Sequence, residues 1–373
     1  MKRTARWMIC GILAAGLLAG CGSKNVPVDG TEAAITVDGE VIRMGEAAFY
    51  LRAQQAETQM MMESYGFTDG GSLWDQTLED EDGKSVTYGQ QMKDSIGDEL
   101  TGFVLLKEHA ADYDAEMPDA LKDAAAETAK TVYESNAEVF DKIGSTEEDI
   151  REVLELSAYP SLMTDLITAD VDTEVSDEEA AQCRVVYVRT RLKETDESGA
   201  QIDASEETKE TYRANLEKLL KEIQEAGEVD EESIREMANA IDEENIMVGT
   251  TTYGKDDAFL PEEVLTAAAT LQDGETFGEV IETSDGFYYL VHMVAVLDRD
   301  ATDTKKSSIV SQRKQEAYDA QLQEWKDAAE ITTSEAWDNL TVTDSDPWRA
   351  VYPEAAEDVE TAEEAGEAEQ TEE

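Results

Sequence analysis

Two stretches decide the fold: Cys183-Arg184-Val185-Val186-Tyr187-Val188-Arg189 and Gly286-Phe287-Tyr288-Tyr289-Leu290-Val291-His292-Met293-Val294. Both are β-branched and aromatic runs bounded by turn formers, with Asp285-Gly286 ahead of the second, which is strand composition. Between them a helix is expected over 207–226, with Tyr212, Leu216, Leu219 and Ile223 on one face, and another over about 231–241. The polar stretch 193–207 ahead of them reads as a solvated loop. A Thr/Gly-rich segment then leads to Leu260-Pro261-Glu262-Glu263-Val264-Leu265-Thr266-Ala267-Ala268-Ala269-Thr270-Leu271 and the turn Asp273-Gly274-Glu275. A strand, a helix pair and a returning strand make an α+β unit on a small sheet of antiparallel type.

This order of parts resembles the parvulin-type peptidyl-prolyl isomerase domain. There a strand A-R-H-I-L-V is followed by helices and a G-G-D-L-G-W-F loop. M-x-P-E-F-x-x-A-A-F-x-L, a G-E-I turn and a last strand G-Y-H-I-I-K come next. The match is best at Leu260 to Leu271, Gly274-Glu275 and Gly286-Phe287. The resemblance implies rotation about an amide bond whose barrier is ~18–20 kcal/mol. It also implies an apolar seat for proline, two histidines, and an Asp or Cys beside the twisting bond.

Carried over residue by residue, the histidine positions fall on Val185 and Tyr288, and the Asp/Cys position falls near Gly249. Phe259 stands for the Met of the seat, Tyr253 keeps a loop aromatic, and Ala269 replaces a Phe of its wall. Valine has no hydrogen-bonding group. A tyrosine with a reference pKa of about 10 does not exchange protons near neutrality as imidazole does. The pocket therefore reads as degenerate, and isomerase activity is left open. His292 shares the strand face of Tyr288 and reads as structural, with substitution for the missing imidazole as the alternative. Cys183 shares the face of Val185, and a lone thiol is weak support for nucleophilic chemistry.

Outside this domain, Ala34 to Ile42 reads as a hairpin around Asp38-Gly39. A helix follows over 46–65, with Phe49, Ala53, Ala56 and Met60 on one face. The stretch 67–86 is loop-like. Thr87-x-x-Gln90 caps a helix whose stripe is Met92, Ile96, Leu100 and Phe103. Another helix starts at Pro118 and breaks near Gly144. Ser145-x-x-Glu148 is read as the cap of a last one continuing past Pro160 to Ile167. The hairpin-then-helix opening resembles the PrsA/SurA-type extracytoplasmic foldases, whose final helix returns to complete the N-terminal lobe. The helix expected over 304–329 carries an apolar stripe through Val310, Ala317, Tyr318, Leu322, Trp325 and Ala329 that suits this role. The expected fold class is thus α+β: a mostly helical lobe over 31–175, a parvulin-like domain inserted over 176–299, and a return segment over 300–345.

The ends read differently. Lys2, Arg3 and Arg6 precede an apolar run from Met8 to Ala19, and Leu18-Ala19-Gly20-Cys21 reads as a lipobox. Residues 1–20 are then a signal peptide, Cys21 is the acylated residue, and 21–30 are a tether; an ordinary secretory signal is the alternative. The chain's other cysteines are Cys10 and Cys183, so an acylated Cys21 leaves no intramolecular disulfide. Residues 346–373 are acidic and compositionally disordered.

The formal net charge is −57, which disfavours nucleic acid and anionic lipid surfaces as partners. It suits cationic or unfolded clients, or solubility alone. Met60-Met61-Met62 suggests either an adaptable client surface, with Phe49 and Phe103, or core. His109 with Asp112 and Asp114 is read as a helix C-terminal partner rather than a metal ligand. No cofactor or metal is expected. The leading functional reading is a lipid-anchored extracytoplasmic chaperone for exported polypeptides. The alternatives are an active prolyl isomerase and a non-catalytic scaffold lipoprotein. Oligomeric state is left open.

Overall fold

The computed structural model describes residues 28–66, 73–79, 83–194, 199–256 and 259–344, with the backbone alone of 16–18, 195 and 349–351. The basic end of the segment read as a signal peptide, Cys21, the stretch to residue 27 read as a tether, and 352–373 lie outside the described residues. The chain divides into two units, 1–170 with 316–373, and 171–315.

The first unit opens with β1 (Ala33–Val37) and β2 (Glu40–Arg43). Asp38 and Gly39 take φ of 47° and 92°, the two left-handed residues that a tight hairpin turn demands. Then come α1 (Met44–Ser64), α2 (Tyr88–His109), α3 (Asp119–Ile143), α4 (Glu147–Leu156) and α5 (Tyr159–Ile167). The Thr87 side chain accepts the Gln90 N–H at the start of α2, and Gly144, at φ 73°, ends α3. The α4 cap is one residue later than expected. Thr146 and Asp149 exchange the capping bonds, while the buried Ser145 hydroxyl donates to the Gly45 carbonyl at 2.7 Å. Helix α4 also stops at Leu156, and Pro160, suited to a first turn, begins α5 separately. The stretch 67–86 holds a small hairpin, Thr77–Glu79 with Ser85–Thr87.

In the second unit the Ser176 side chain caps the helical turn Asp177–Ala180. After it come β3 (Cys183–Arg191), α6 (Glu206–Ala226), α7 (Glu231–Asp242), β4 (Met247–Tyr253), α8 (Glu262–Ala268), β5 (Ile281–Glu282) and β6 (Phe287–Ala295). The sheet is antiparallel in the order β5-β6-β3-β4, so the two strands that announced the fold are its centre. One face buries Val186, Val188 and Leu290 against Leu216, Leu219, Ile223 and Ile234 of α6 and α7. The other buries Val185, Val291 and Met293 against Leu260, Val264 and Ala268 around α8. The stretch read as a solvated loop contains a short hairpin, Lys193–Thr195 with Gln201–Asp203.

Helix α9 (Arg299–Ala328) carries the chain back into the first unit from residue 316. Tyr318, Leu322 and Trp325 pack on buried Leu106, Ala110 and Met163. Strand β7 (Ile331–Thr333) adds to the outer side of β1, and α10 (Glu335–Asn339) buries Trp337. Gly16–Leu18 and Arg349–Val351 form a short antiparallel ladder. Three residues of the segment read as disordered therefore have strand backbone. Composition counts burial capacity, whereas backbone pairing needs only another extended segment. Among the described residues, no helix is long and apolar enough to cross a membrane.

Candidate functional site

The face of β3 and β6 that looks toward α8 is the candidate site. Register pairs Arg189 with Tyr289, Arg191 with Phe287, and Tyr187 with both Val291 and Gly249. Arg189, Tyr289, Phe259, Leu260, Pro261, Glu262, Glu263, Thr266, Ser284 and Asp285 enclose a cleft of about 860 Å³. A smaller one of about 330 Å³ shares Glu263 and Thr266 and is walled by Ala267, Phe277, Val280 and Ile281. The rings are close: Tyr187 to Tyr289 is 6.3 Å and Phe287 to Tyr289 is 6.0 Å between centroids. The Arg189 guanidinium lies 5.8 Å from the Tyr187 ring and 5.2 Å from that of Phe287. Burial pushes the Tyr289 hydroxyl up, opposed by its hydrogen bond from Arg189.

The six pocket equivalents do not assemble as expected. Val185 is buried on the α8 side, but Tyr288 is buried on the opposite face, among the α6 and α7 core residues. The Arg213 guanidinium covers its ring at 4.5 Å. A one-residue step along a strand reverses the side-chain direction, and Phe287-Tyr288-Tyr289-Leu290-Val291 is apolar throughout, so periodicity could not choose the face. Tyr289 is the residue at the cleft. Ala269 follows the last residue of α8 and is exposed, so it is no wall of the seat. Phe259 does line the cleft and is 72% exposed. Tyr253 is buried beside Cys183, and burial pushes its hydroxyl up to about 12. The Cys183 thiol is likewise pushed up by burial, the reverse of thiolate activation.

Gly249 supplies no polar group, but its bareness has a use. A Cβ there would come within 2.6 Å of the Tyr187 ring, so the glycine lets that ring lie across β4. Gly249→Ala should displace Tyr187 and lower stability by about 1–3 kcal/mol, the usual overpacking range. Thermal unfolding of the variant checks this. In a Tyr187→Ala background the same change should cost little.

Neither of the chain's two histidines, His109 and His292, lines the cleft. His292 is buried on the face of Tyr288, with Nδ1 2.8 Å from the Thr276 hydroxyl, and burial pushes its pKa down. His109 stacks on Trp325 at 4.2 Å and pairs with Asp112 at the end of α2. Among the described residues no carboxylate, His or Cys cluster suits a metal.

The client residues assigned to the first unit are corrected too. Phe49 and Phe103 are 1% and 6% exposed and pack edge-on against Phe140 and Tyr50 respectively. Their helical spacing marked the unit's own core. Met60 and Met62 are half-buried, and Met61 is 49% exposed.

No protein-family model matches the chain, and neither does any curated protein. Among solved structures it is similar to the foldase protein PrsA from Streptococcus pneumoniae str. Canada MDR_19A. That likeness is 18% identity over 71% of this chain and 98% of that one, with a TM-score of 0.26. The peptidylprolyl isomerase PrsA from Bacillus cereus shows 16% identity over 71% and 95%, with a TM-score of 0.28. That from Bacillus anthracis shows 18% over 62% and 95%, with a TM-score of 0.24. At such identities and TM-scores no residue role is transferred.

Proposed function

We propose that this chain is a lipid-anchored, extracytoplasmic foldase-type chaperone that holds extended segments of exported polypeptides without isomerising them. The observation that carries the reading is the cleft itself. It offers aromatic and proline walls at Tyr289, Phe259 and Pro261 and a guanidinium at Arg189, but no imidazole. Such a surface binds an apolar side chain and the backbone beside it, and it holds no group that trades protons near neutrality. The partner is an unfolded polypeptide. Cys21 would tether the chain to the membrane where such polypeptides emerge, and the charge of −57 would keep a loaded complex soluble.

The test pairs two assays on the chain from Cys21 onward. Aggregation of an unfolded substrate should slow at near-stoichiometric ratios. Isomerisation of a proline peptide should keep its uncatalysed time of about tens of seconds. An acceleration of a hundredfold or more would replace this reading with that of an active isomerase. Failure in both assays would leave a scaffold lipoprotein.

A further inference from the structure

Several acids of the second unit are matched by cations: Asp298 by Arg184, Glu282 by Arg213, Glu231 by Arg235, Asp177 by Lys306 and Glu179 by Arg313. The cleft beside β6 and α8 differs. Its lining carries three carboxylates, Glu262, Glu263 and Asp285, against the single guanidinium of Arg189. Among the described residues none of the three carboxylates takes part in an ion pair. Glu263 accepts the Ser284 N–H at 3.1 Å, and Asp285 accepts the Thr283 hydroxyl. These neutral donors leave the negative charge in place. Hydrogen bonds from its own N–H and from that of Ser284 hold the Glu263 carboxyl below the usual carboxylate range, so it is ionised in neutral solution.

The one cation is already engaged. Arg189 donates to the Tyr289 hydroxyl, and its guanidinium lies 5.2 Å from the centre of the Phe287 ring, which is not part of the lining. The adjoining cleft of about 330 Å³ shares Glu263, adds Glu279 and holds no basic residue. Glu263 thus stands between two apolar seats, Phe259 and Pro261 in one cleft and Phe277 and Ile281 in the other.

We infer that the cleft selects basic-apolar segments. An apolar side chain seats against Phe259, Pro261 and Tyr289, and a neighbouring Lys or Arg reaches the carboxylates of Glu262, Glu263 and Asp285. This inference rests on the peptide-binding reading and names its substrate class. The long stem of a Lys or Arg covers apolar surface while its charged head stays in water, which suits carboxylates at the rim of an apolar seat. The chain's net charge of −57 draws such segments in, but screening beyond about 8 Å at physiological salt leaves the choice to the nearby carboxylates.

The experiment uses three labelled peptides that differ only in the residue beside a central apolar anchor: Lys, Gln or Glu. Fluorescence anisotropy against the chain from Cys21 onward, in physiological salt, reads their affinities. The Lys peptide should bind about fivefold tighter than the Gln peptide, the scale of a solvent-accessible ion pair, and the Glu peptide should be weakest. Glu262→Gln/Glu263→Gln/Asp285→Asn should erase the difference between Lys and Gln. Glu263→Gln alone keeps an acceptor for the Ser284 N–H and should narrow the gap even if the triple variant misfolds. Glu207→Gln/Glu210→Gln/Glu217→Gln removes the same charge from exposed positions of α6, which packs on the opposite face of the sheet, and should leave the preference intact. A Lys preference that falls equally in both triple variants belongs to the general field and overturns the inference. Equal binding of the three peptides, all weakened by Phe259→Ala, overturns the basic preference while the peptide-binding reading stands. Preference for Glu overturns it as well, and binding of none of the three overturns both readings.

Discussion

Ending the chain after Ala328 should abolish cooperative unfolding of the first unit. That cut removes β7 from the open side of β1 and takes out Trp337 and Val342, 3% and 4% exposed in the unit's core. It also strips acceptors from buried cations. Nζ of Lys93, in a residue 4% exposed, donates to the Trp337 and Asp338 carbonyls at 3.3 and 2.8 Å. Arg52 donates to the Thr341 carbonyl at 3.0 Å. On the far side, the Asp344 carboxylate accepts the N–H groups of Leu73, Trp74 and Asp75. A buried charge that loses acceptors costs up to several kcal/mol, beyond the lost apolar contacts. Trp337→Ala alone should cost about 3–5 kcal/mol. At about 2–4 °C per kcal/mol for a unit of this size, its melting temperature should fall by roughly 10 °C. Thermal unfolding followed by circular dichroism measures both. A chain ending at residue 352 should stay within about 2 °C of full length, as the composition beyond it implies. A truncation at Ala328 that melts normally would mean that the first unit needs none of these contacts.

Glu46→Gln should stabilise the protein above neutral pH and flatten its pH dependence. The starts of α1 and α4 meet at one guanidinium: Nη2 of Arg43 lies 3.4 Å from Glu46, 3.0 Å from Asp149 and 2.5 Å from Glu152. Glu46 and Asp149 are buried, at 4% and 3% exposure. Arg151 adds its charge near Glu152 while bonding Glu148 and Glu155, and Lys107 pairs with Glu40 nearby. Three carboxylates exceed what Arg43 neutralises. Burial, then a hydrogen bond shared with Glu152, pushes Glu46 from its ordinary value near 4.5 up to about 8, against the pull of Arg43. The folded state thus holds a proton that the unfolded chain releases between those values. Stability is highest below the ordinary value and is lost as pH rises toward the folded one, by up to about 1.4 kcal/mol per pH unit. Glutamine keeps an acceptor for the Arg43 N–H but cannot ionise. The variant should gain about 2–4 kcal/mol at pH 8 and little at pH 4.5. Denaturant midpoints at several pH values decide the matter. An unchanged slope in Glu46→Gln would place the proton elsewhere.

What the sequence settled by itself is local. The two β-branched runs, the Asp38-Gly39 turn, the Thr87 cap and the Gly144 stop each depend on the chemistry of a few neighbouring residues. The structure has each of them at or within a residue or two of its expected place. The stripe through Tyr318, Leu322 and Trp325 announced an unburied face, because apolar spacing in a helix is a statement about a missing partner. Which residues would cover that face was not written in the helix.

The site is the reverse case. In Phe287 to Val291 every residue is apolar, so both faces of β6 are buried and only pairing with β3 says that Tyr289, not Tyr288, meets the cleft. Phe49 and Phe103 carried the same signal as a binding surface would, since burial against the chain and burial against a client ask for the same side chains. The use of Gly249 appears only when Tyr187, sixty-two residues earlier, lies across it. Arg189 looked like one more strand residue in an acidic chain. Its enclosed Nε, and its place over the Phe287 ring, are properties of tertiary placement. Spacing along a chain fixes direction within one element, and only packing between elements fixes what each direction meets.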